Sequence, residues 1–297
     1  MKKLICIVGP TASGKTKVAI DIANHYNTCI INFDSRQFYQ ETSIGTAKPT
    51  PEELAAAPHH FVDCRSISAD YNAGQFERDA IALLQEQYKT NDIVVCVGGS
   101  GFYLSTLLYG LNEMPSIDLK VRTELNELFK KEGLAAIQAL LKEKDPAHYE
   151  VVDHHNHTRM IRALEVCISA GKHYTSFKVK KTAKRVFEPI IIGMDWEREK
   201  LYERINSRVD LMMDLGLLDE VKSLYQQKHL NALHTVGYTE LFQYLDQETT
   251  LEEAVELIKR NTRRYAKKQV TWFNNQIKTD WISPNALDKM IDLIENN

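Results

Sequence analysis

Apolar positions in the first hundred residues come in short blocks separated by longer stretches with helical spacing. Leu4–Val8, Cys29–Phe33 and Ile93–Val97 are compact apolar runs. The segment from Lys15 to about Tyr26 and residues 75–89 have the three-and-four spacing of helices. In the second, Phe76, Ala80, Leu83, Leu84 and Tyr88 share one face. A strand that is apolar at successive positions is buried on both faces, so runs alternating with helices predict a parallel sheet covered on each side. Ligands of such sheets bind beyond the carboxyl ends of the strands. The three runs end at Gly9, Asp34 and Gly98.

From residue 116 the pattern changes. Leu119–Lys130, Leu134–Lys142 and Thr158–Ala170 read as helices, with Gly171 placed to cap the last. Pro189–Trp196 restores a strand. Long helices are predicted over about 198–228, with Leu201, Ile205, Val209, Met212 and Met213 as the buried stripe, and over about 250–273. Residues 284–297 suggest a short amphipathic helix, and Trp272-Phe273 should anchor the helix before it. The predicted fold is α/β: a P-loop parallel-sheet core with helices on both faces, residues 1–115 and 186–297, and a mainly helical insertion domain over 116–185.

Composition narrows the function. The 297 residues are 43% hydrophobic and 26% charged, which suits a globular protein. No apolar run approaches the roughly 20 residues of a membrane span, and the five-residue run after Met1-Lys2-Lys3 is too short for a signal peptide. Five widely spaced cysteines with no C-x-x-C argue against a disulfide scaffold or zinc ribbon and for a reducing cytoplasm. Asp153-His154-His155-Asn156-His157 lacks the frame of a metal site and reads as a polar turn.

Gly9-Pro10-Thr11-Ala12-Ser13-Gly14-Lys15-Thr16 fits G-x-x-x-x-G-K-[ST] between a strand and a helix. Glycines let backbone N–H groups turn toward phosphate oxygens, the helix adds the positive end of its dipole, and Lys15 supplies a full charge. The Thr16 hydroxyl suits Mg²⁺. ATP and GTP are the usual occupants of this loop, but any diphosphate satisfies its contacts. Asp34, ending the second run, could reach Mg²⁺ through water, take a proton from a nucleophile, or cap a turn. Ser35, Gln37 and Tyr39 beside it can hydrogen-bond a heterocycle.

GPTASGKT at Gly9–Thr16, DSRQFY at Asp34–Tyr39 and IGTAKP at Ile44–Pro49 together resemble the bacterial tRNA dimethylallyltransferases. PHHFVD at Pro58–Asp63, VGGSGFY at Val97–Tyr103 and RMIRALEV at Arg159–Val166 continue the resemblance. So do Arg204–Arg208, Val236-Gly237-Tyr238 and RRYAKKQVTWF at Arg263–Phe273. The resemblance implies transfer of a dimethylallyl group from dimethylallyl diphosphate to N6 of adenosine 37 in the tRNA anticodon stem-loop. It implies that the phosphate loop holds the isoprenoid diphosphate and that Asp34 is the general base, with Mg²⁺ at Thr16. Arg208, or else Arg204, would stabilise the leaving diphosphate. Ser100 stands where the family usually has threonine and could orient the amine or a phosphate. Phe102 replaces the commoner leucine and is expected to repack the wall. Lys48, His59, His60 and Arg162 join Ser35, Gln37 and Tyr39 as expected RNA contacts, and the insertion as the tRNA-binding domain. A cytoplasmic monomer with no membrane partner is expected.

A net charge of −3 at first argues against nucleic acid. However, residues 172–185 and 259–268 hold 12 of the 37 Lys and Arg residues and no acid, leaving 25 cations against 40 acids elsewhere. The chain is an acidic body with two basic segments. Lys180 and Lys181 in the first, and Arg260, Arg263, Arg264 and Lys267 in the second, are candidate phosphate contacts. An ATP-dependent small-molecule kinase, an isopentenyltransferase acting on free AMP and a non-catalytic RNA-binding module each explain part of these features.

Overall fold

The computed structural model describes residues 2–178 and 183–297. Lys180 and Lys181 lie outside the described residues. The chain divides into two compact units, Met1–Tyr109 with Lys184–Asn297, and Gly110–Ala183. Sequence patterning placed the insertion at 116–185. The earlier start falls at Gly110, whose φ of 82° ends the preceding helix.

The first unit opens with β1 (Lys2–Val8), α1 (Lys15–His25), β2 (Ile30–Asn32), α2 (Pro51–Ala56), β3 (His59–His60), α3 (Ala73–Gln87), β4 (Ile93–Val97) and α4 (Gly101–Tyr109). The second unit holds α5 (Leu119–Glu132), α6 (Leu134–Lys144), α7 (Pro146–Tyr149) and α8 (His157–Ala170). The first unit resumes with β5 (Phe187–Met194), α9 (Arg198–Asp214), α10 (Leu217–Ser223), α11 (Tyr238–Leu245), α12 (Leu251–Gln276), β6 (Asp280–Ile282) and α13 (Leu287–Glu295).

Six parallel strands form one sheet in the order β3-β2-β4-β1-β5-β6. Leu4, Cys6 and Val8 of β1 face a cluster with Phe33, Phe38, Phe76 and Phe273, while Ile5 and Ile7 face Val18, Ile22, Met290 and Ile294. All five β1 side chains are fully buried, which is why the run is continuously apolar. Each such side chain contributes about 1.5–3 kcal/mol relative to exposure. Met290 and Ile294 also show what α13 does: its apolar face covers one side of the sheet.

Several elements depart from the patterning. The single helix expected over 198–228 is broken at Gly216, whose φ of 94° no helical residue adopts, so α9 ends at Asp214 and α10 starts at Leu217. The strand predicted at Pro189–Trp196 runs from Phe187 to Met194. α4 lacks an amphipathic stripe because Leu104, Thr106, Leu107 and Leu108 are all buried. Its start is packed so closely that a Cβ at Gly101 would lie 2.2 Å from the Trp272 ring. α2 carries a readable capping box: Thr50 Oγ1 accepts from Glu53 N (3.2 Å), and Glu53 Oε2 accepts from Thr50 N (2.9 Å).

In the second unit α5, α6 and α8 enclose Leu125, Ile137, Leu141, Met160 and Leu164. Glu165 is buried and receives Arg122 Nε (2.6 Å), Arg122 Nη2 (3.0 Å) and Arg162 Nη1 (3.1 Å). These charge-assisted bonds hold the Glu165 carboxyl below its ordinary range against the opposing effect of burial. Arg162, expected to contact RNA, is therefore engaged in the interior ion pair of its own unit. The histidine-rich turn packs rather than chelates. His154 stacks on Tyr149 and hydrogen-bonds its carbonyl at 2.7 Å, and His157 stacks on Phe129.

Candidate active site

β1 delivers the chain into the phosphate loop at Gly9, and the loop's shape comes from backbone conformations that few residues adopt. Gly9, Ala12 and Gly14 have φ of 141°, 63° and 82°. Three distant residues then hold the loop. Arg204 Nε donates to Ala12 O (2.9 Å), Trp196 Nε1 donates to Ser13 O (2.9 Å), and Gln269 Oε1 accepts from Thr11 N (2.9 Å). With those carbonyls engaged, the amides opening α1 are the loop's free polarity, and they form an anion site. Ser13 Oγ is buried and has no hydrogen-bond partner.

The loop borders a cleft of about 1200 Å³ lined by Thr11–Lys17, Asp34–Gln37, the 43–51 segment, Glu53, His59, Arg204, Arg208, Tyr265 and Gln269. Lys15 Nζ donates to Pro10 O at 2.7 Å. Burial lowers its pKa to about 8; nearby Asp34 opposes that shift and Arg208 adds to it. The three charges are thus within electrostatic reach of one another. Desolvation and the neighbouring Arg204 lower Arg208 as well, while Glu53 and Asp34 hold it up. Arg208 Nη1 makes a long contact of 3.5 Å to Thr11 Oγ1 and so keeps donors for a ligand. Arg204 has its Nε bound to the loop and its plane 4.6 Å from the Trp196 ring centre. Of the two candidate arginines, Arg204 shapes the loop and Arg208 is the freer donor.

Asp34 is held in a turn. Its Oδ1 accepts from Arg36 N (3.0 Å) and its N–H donates to Asn32 Oδ1 (3.1 Å). Oδ2 receives no hydrogen bond among the described residues. Tyr265 stands across from it, with its phenol raised to about 12 by desolvation and by the Asp34 charge. The next residue is pinned by Ser100, whose Oγ accepts from Ser35 N (3.0 Å) and donates to Ser35 Oγ (3.1 Å). Ser100 does not line the cleft. Its hydroxyl holds the Asp34 turn through Ser35.

Other expected contacts divide in the same way. Gln37 lines the cleft, but its Nε2 donates to Thr46 O (3.1 Å) and Ala47 O (2.9 Å). Tyr39 is buried among Val209, Leu217 and Tyr238, so it is a core residue. Lys48 pairs with Asp63 and donates to Gln40 O and Ser43 Oγ, leaving its side chain 5% exposed. It ties loops together and has no donor left for RNA. His59 lines the cleft. Its Nδ1–H donates to Ala57 O (2.8 Å), which leaves Nε2 as an acceptor, buried and unpartnered. His60 is half-buried outside the cleft, its pKa lowered by desolvation and by His59.

The second basic segment is also sorted by packing. Across the α9–α12 contact Lys259 pairs with Asp210 (2.8 Å) and Arg263 Nη1 donates to Asn206 Oδ1 (2.6 Å), and Lys259 also pairs with Glu256 (3.1 Å) within α12. Arg260, Arg264, Lys267 and Lys268 are exposed on α12. In the first segment, Arg185 is paired with Glu77 and 13% exposed. Like charges clustered in sequence are thus relieved partly by acids from elsewhere in the fold.

Residues not singled out from sequence complete the walls. Gln269 joins two glycine loops, its Nε2 donating to Gly99 O (3.0 Å), and a Cβ at Gly99 would lie 2.2 Å from that nitrogen. Glu220 accepts from the backbone of Ser43 (2.8 Å), Ile44 (2.8 Å) and Gly45 (3.0 Å) and from Tyr238 Oη (2.6 Å). Arg36 binds the carbonyls of Asn231, Ala232 and His234. Only capping boxes give a local signal of this kind; apart from Glu220 and Tyr238, these partners are 170 or more residues apart.

Residues 37–276 match the IPP transferase family. The chain is 48% identical over 287 residues to a tRNA dimethylallyltransferase of Flavobacterium johnsoniae, covering 95% of this chain and 93% of that one. It is 47% identical over 294 residues to one of Christiangramia forsetii, covering 99% and 97%. Among solved structures, a tRNA isopentenylpyrophosphate transferase of Bacillus halodurans matches with TM-score 0.74 and 34% identity, covering 100% of this chain and 96% of that one. A eukaryotic dimethylallyltransferase acting on tRNA matches with TM-score 0.80 and 26% identity, covering 100% and 80%. By motif order, sheet topology and these likenesses, the chain belongs to the IPP transferase family and is a tRNA-modifying prenyltransferase of the dimethylallyltransferase type.

Proposed function

We propose that this cleft transfers the dimethylallyl group of dimethylallyl diphosphate to N6 of adenosine 37, next to the tRNA anticodon, in the cytoplasm and as a single chain. The observation carrying this reading is the convergence of a phosphate loop, Lys15, Arg208 and the Asp34 carboxylate in one cleft. The N6 lone pair forms a bond to C1 of the allyl group as the C1–O bond breaks. Its electron pair leaves with diphosphate, and the N6 proton passes to Asp34 Oδ2. Lys15, the loop amides and Arg208 meet charge where it develops on the leaving group. Ser100, through Ser35, keeps the carboxylate in place. The adenine must leave its stack to enter, which costs a few kcal/mol that cleft contacts offset.

The Thr16 hydroxyl and Asp34, through water, are hard oxygen donors on one cleft, and they fit Mg²⁺. An ion held there would take its remaining ligands from substrate phosphates and water. Bound there, Mg²⁺ would neutralise charge on the diphosphate.

The test is incubation with Mg²⁺ and labelled dimethylallyl diphosphate, offering unmodified tRNA or AMP, with ATP hydrolysis measured in parallel. Label in tRNA at adenosine 37 supports the reading. Label in AMP alone, or ATP turnover without prenylation, overturns it.

A further inference from the structure

Phe102 does not repack a wall. It is 58% exposed at the second position of α4. A single exposed apolar side chain is ordinary, so its surroundings decide whether it has a use. The start of α4 is locked onto α12 at two points: Gly101 against the Trp272 ring, and Gly99 O on Gln269 Nε2. On α12, Trp272 shares a face with Lys268 four residues earlier, Tyr265 seven earlier and Arg264 eight earlier. Tyr265 is 45% exposed. Arg264 and Lys268 are exposed and make no ion pair or side-chain hydrogen bond among the described residues. Tyr265 and Gln269 also line the cleft beside Asp34. Exposed aromatic and unpaired cationic side chains thus lie on α12 beside the cleft, and Phe102 is exposed one residue after the Gly101–Trp272 contact.

We infer that Phe102 is a stacking platform for an unpaired RNA base flanking the extruded adenosine, with Arg264 and Lys268 meeting the adjoining phosphates. This rests on the proposed RNA substrate. Extruding one nucleotide leaves its neighbours without a stacking partner. An exposed aromatic ring two residues from Ser100, which is hydrogen-bonded to the cleft residue Ser35, returns that partner, because every base has a π-face. Neighbouring cations follow the backbone. Aliphatic residues at this position would bury area without matching a base plane, so the aromatic ring is a property of this chain's own residue. The same surface chemistry suits single-stranded RNA better than a duplex, whose bases are not available to stack.

The experiment compares the wild-type chain with Phe102→Ala, Phe102→Leu and Phe102→Trp on an anticodon stem-loop. Phe102→Ala should raise KM for the RNA by about 5- to 150-fold, the range for removing one stacked base, with the loss falling on KM for RNA rather than on KM for dimethylallyl diphosphate. Phe102→Leu should recover little of it. Phe102→Trp should retain affinity, and its added indole emission, taken as the difference from wild type, should be quenched when RNA binds. An unchanged KM for RNA in Phe102→Ala, full recovery by Phe102→Leu, or indole emission that ignores RNA would each overturn the inference. Wild-type prenylation of the same stem-loop tests the RNA reading separately. Because Phe102 is exposed, thermal melts of the variants should match wild type.

Discussion

The phosphate loop and the segment from Asp34 to Lys48 line the same cleft, but they are held by different means. The loop has a locally set backbone, with positive φ at Gly9, Ala12 and Gly14 between a strand and a helix, which Arg204, Trp196 and Gln269 then brace from outside. The other wall has almost no regular structure. Ser100 holds its acid, Glu220 holds the amides of Ser43–Gly45, Gln37 holds Thr46 and Ala47, and Lys48 holds Asp63. The anion nest and Lys15 are thus encoded locally, while Arg208 and the placement of Asp34 and of the 43–48 segment depend on remote side chains. Substitutions on the two walls should fail in different ways.

The sharpest separation is at Asp34 itself. Asp34→Ala should lower single-turnover prenylation about 10²–10⁴-fold, the usual worth of a general base, while equilibrium binding of dimethylallyl diphosphate persists. Near-normal turnover would remove the carboxylate from the chemistry. On the opposite wall, Arg208→Ala should cost about 10²–10³-fold in kcat, as for a lost donor to developing charge. Arg204→Ala should lose less in kcat and more in melting temperature, because its Nε supports Ala12 O and its plane lies against Trp196. Equal profiles for the two arginines would mean that they do not divide the work.

A remote support gives the next effect. Glu220→Ala leaves three backbone N–H groups and Tyr238 Oη without their acceptor, so urea unfolding should show a loss of about 1–3 kcal/mol. Glu220→Gln, which keeps an acceptor oxygen, should recover part of this. Matching losses in both variants would show that charge, not hydrogen-bond geometry, secures the 43–45 turn. The smallest effect is a proton. Lys15 has a pKa of about 8. At pH 8 it is about half neutral, and a bound diphosphate favours its charged form. Binding at pH 8 should take up about half a proton, and affinity should fall as pH rises through 8. Calorimetry in buffers of different ionisation enthalpy checks the sign; proton release would refute it.

How far the sequence was readable follows from the same division. Leu4–Val8 and Ile93–Val97 were plain as buried strands because a strand with both faces covered needs no alternation. GPTASGKT was plain because few residue orders make an anion nest between a strand and a helix. Two-residue β3 and three-residue β6 are too short to show a period. The break at Gly216 does not show in the pattern because apolar residues resume directly after it, at Leu217 and Val221. The basic segments were visible as charge, but not the pairing of Lys259 with Asp210 or of Arg185 with Glu77. Lys48 and Tyr39 looked available because exposure cannot be read from residue type.

By itself the sequence determined the layered α/β class, the phosphate loop, the family and the acid that follows β2. These depend on neighbours within a few residues or on an ordered set of motifs, and a linear string preserves both. Tertiary structure alone decided which of several polar candidates face the cleft. It engaged Arg162, Lys48 and Ser100 elsewhere, left Arg208 and Asp34 Oδ2 with unused hydrogen-bonding capacity, and brought Gln269 and Glu220 in from more than 170 positions away. The physical reason is that a polar group is available to a ligand only when no partner in the fold has already satisfied it, and those partners are set by packing between distant parts of the chain.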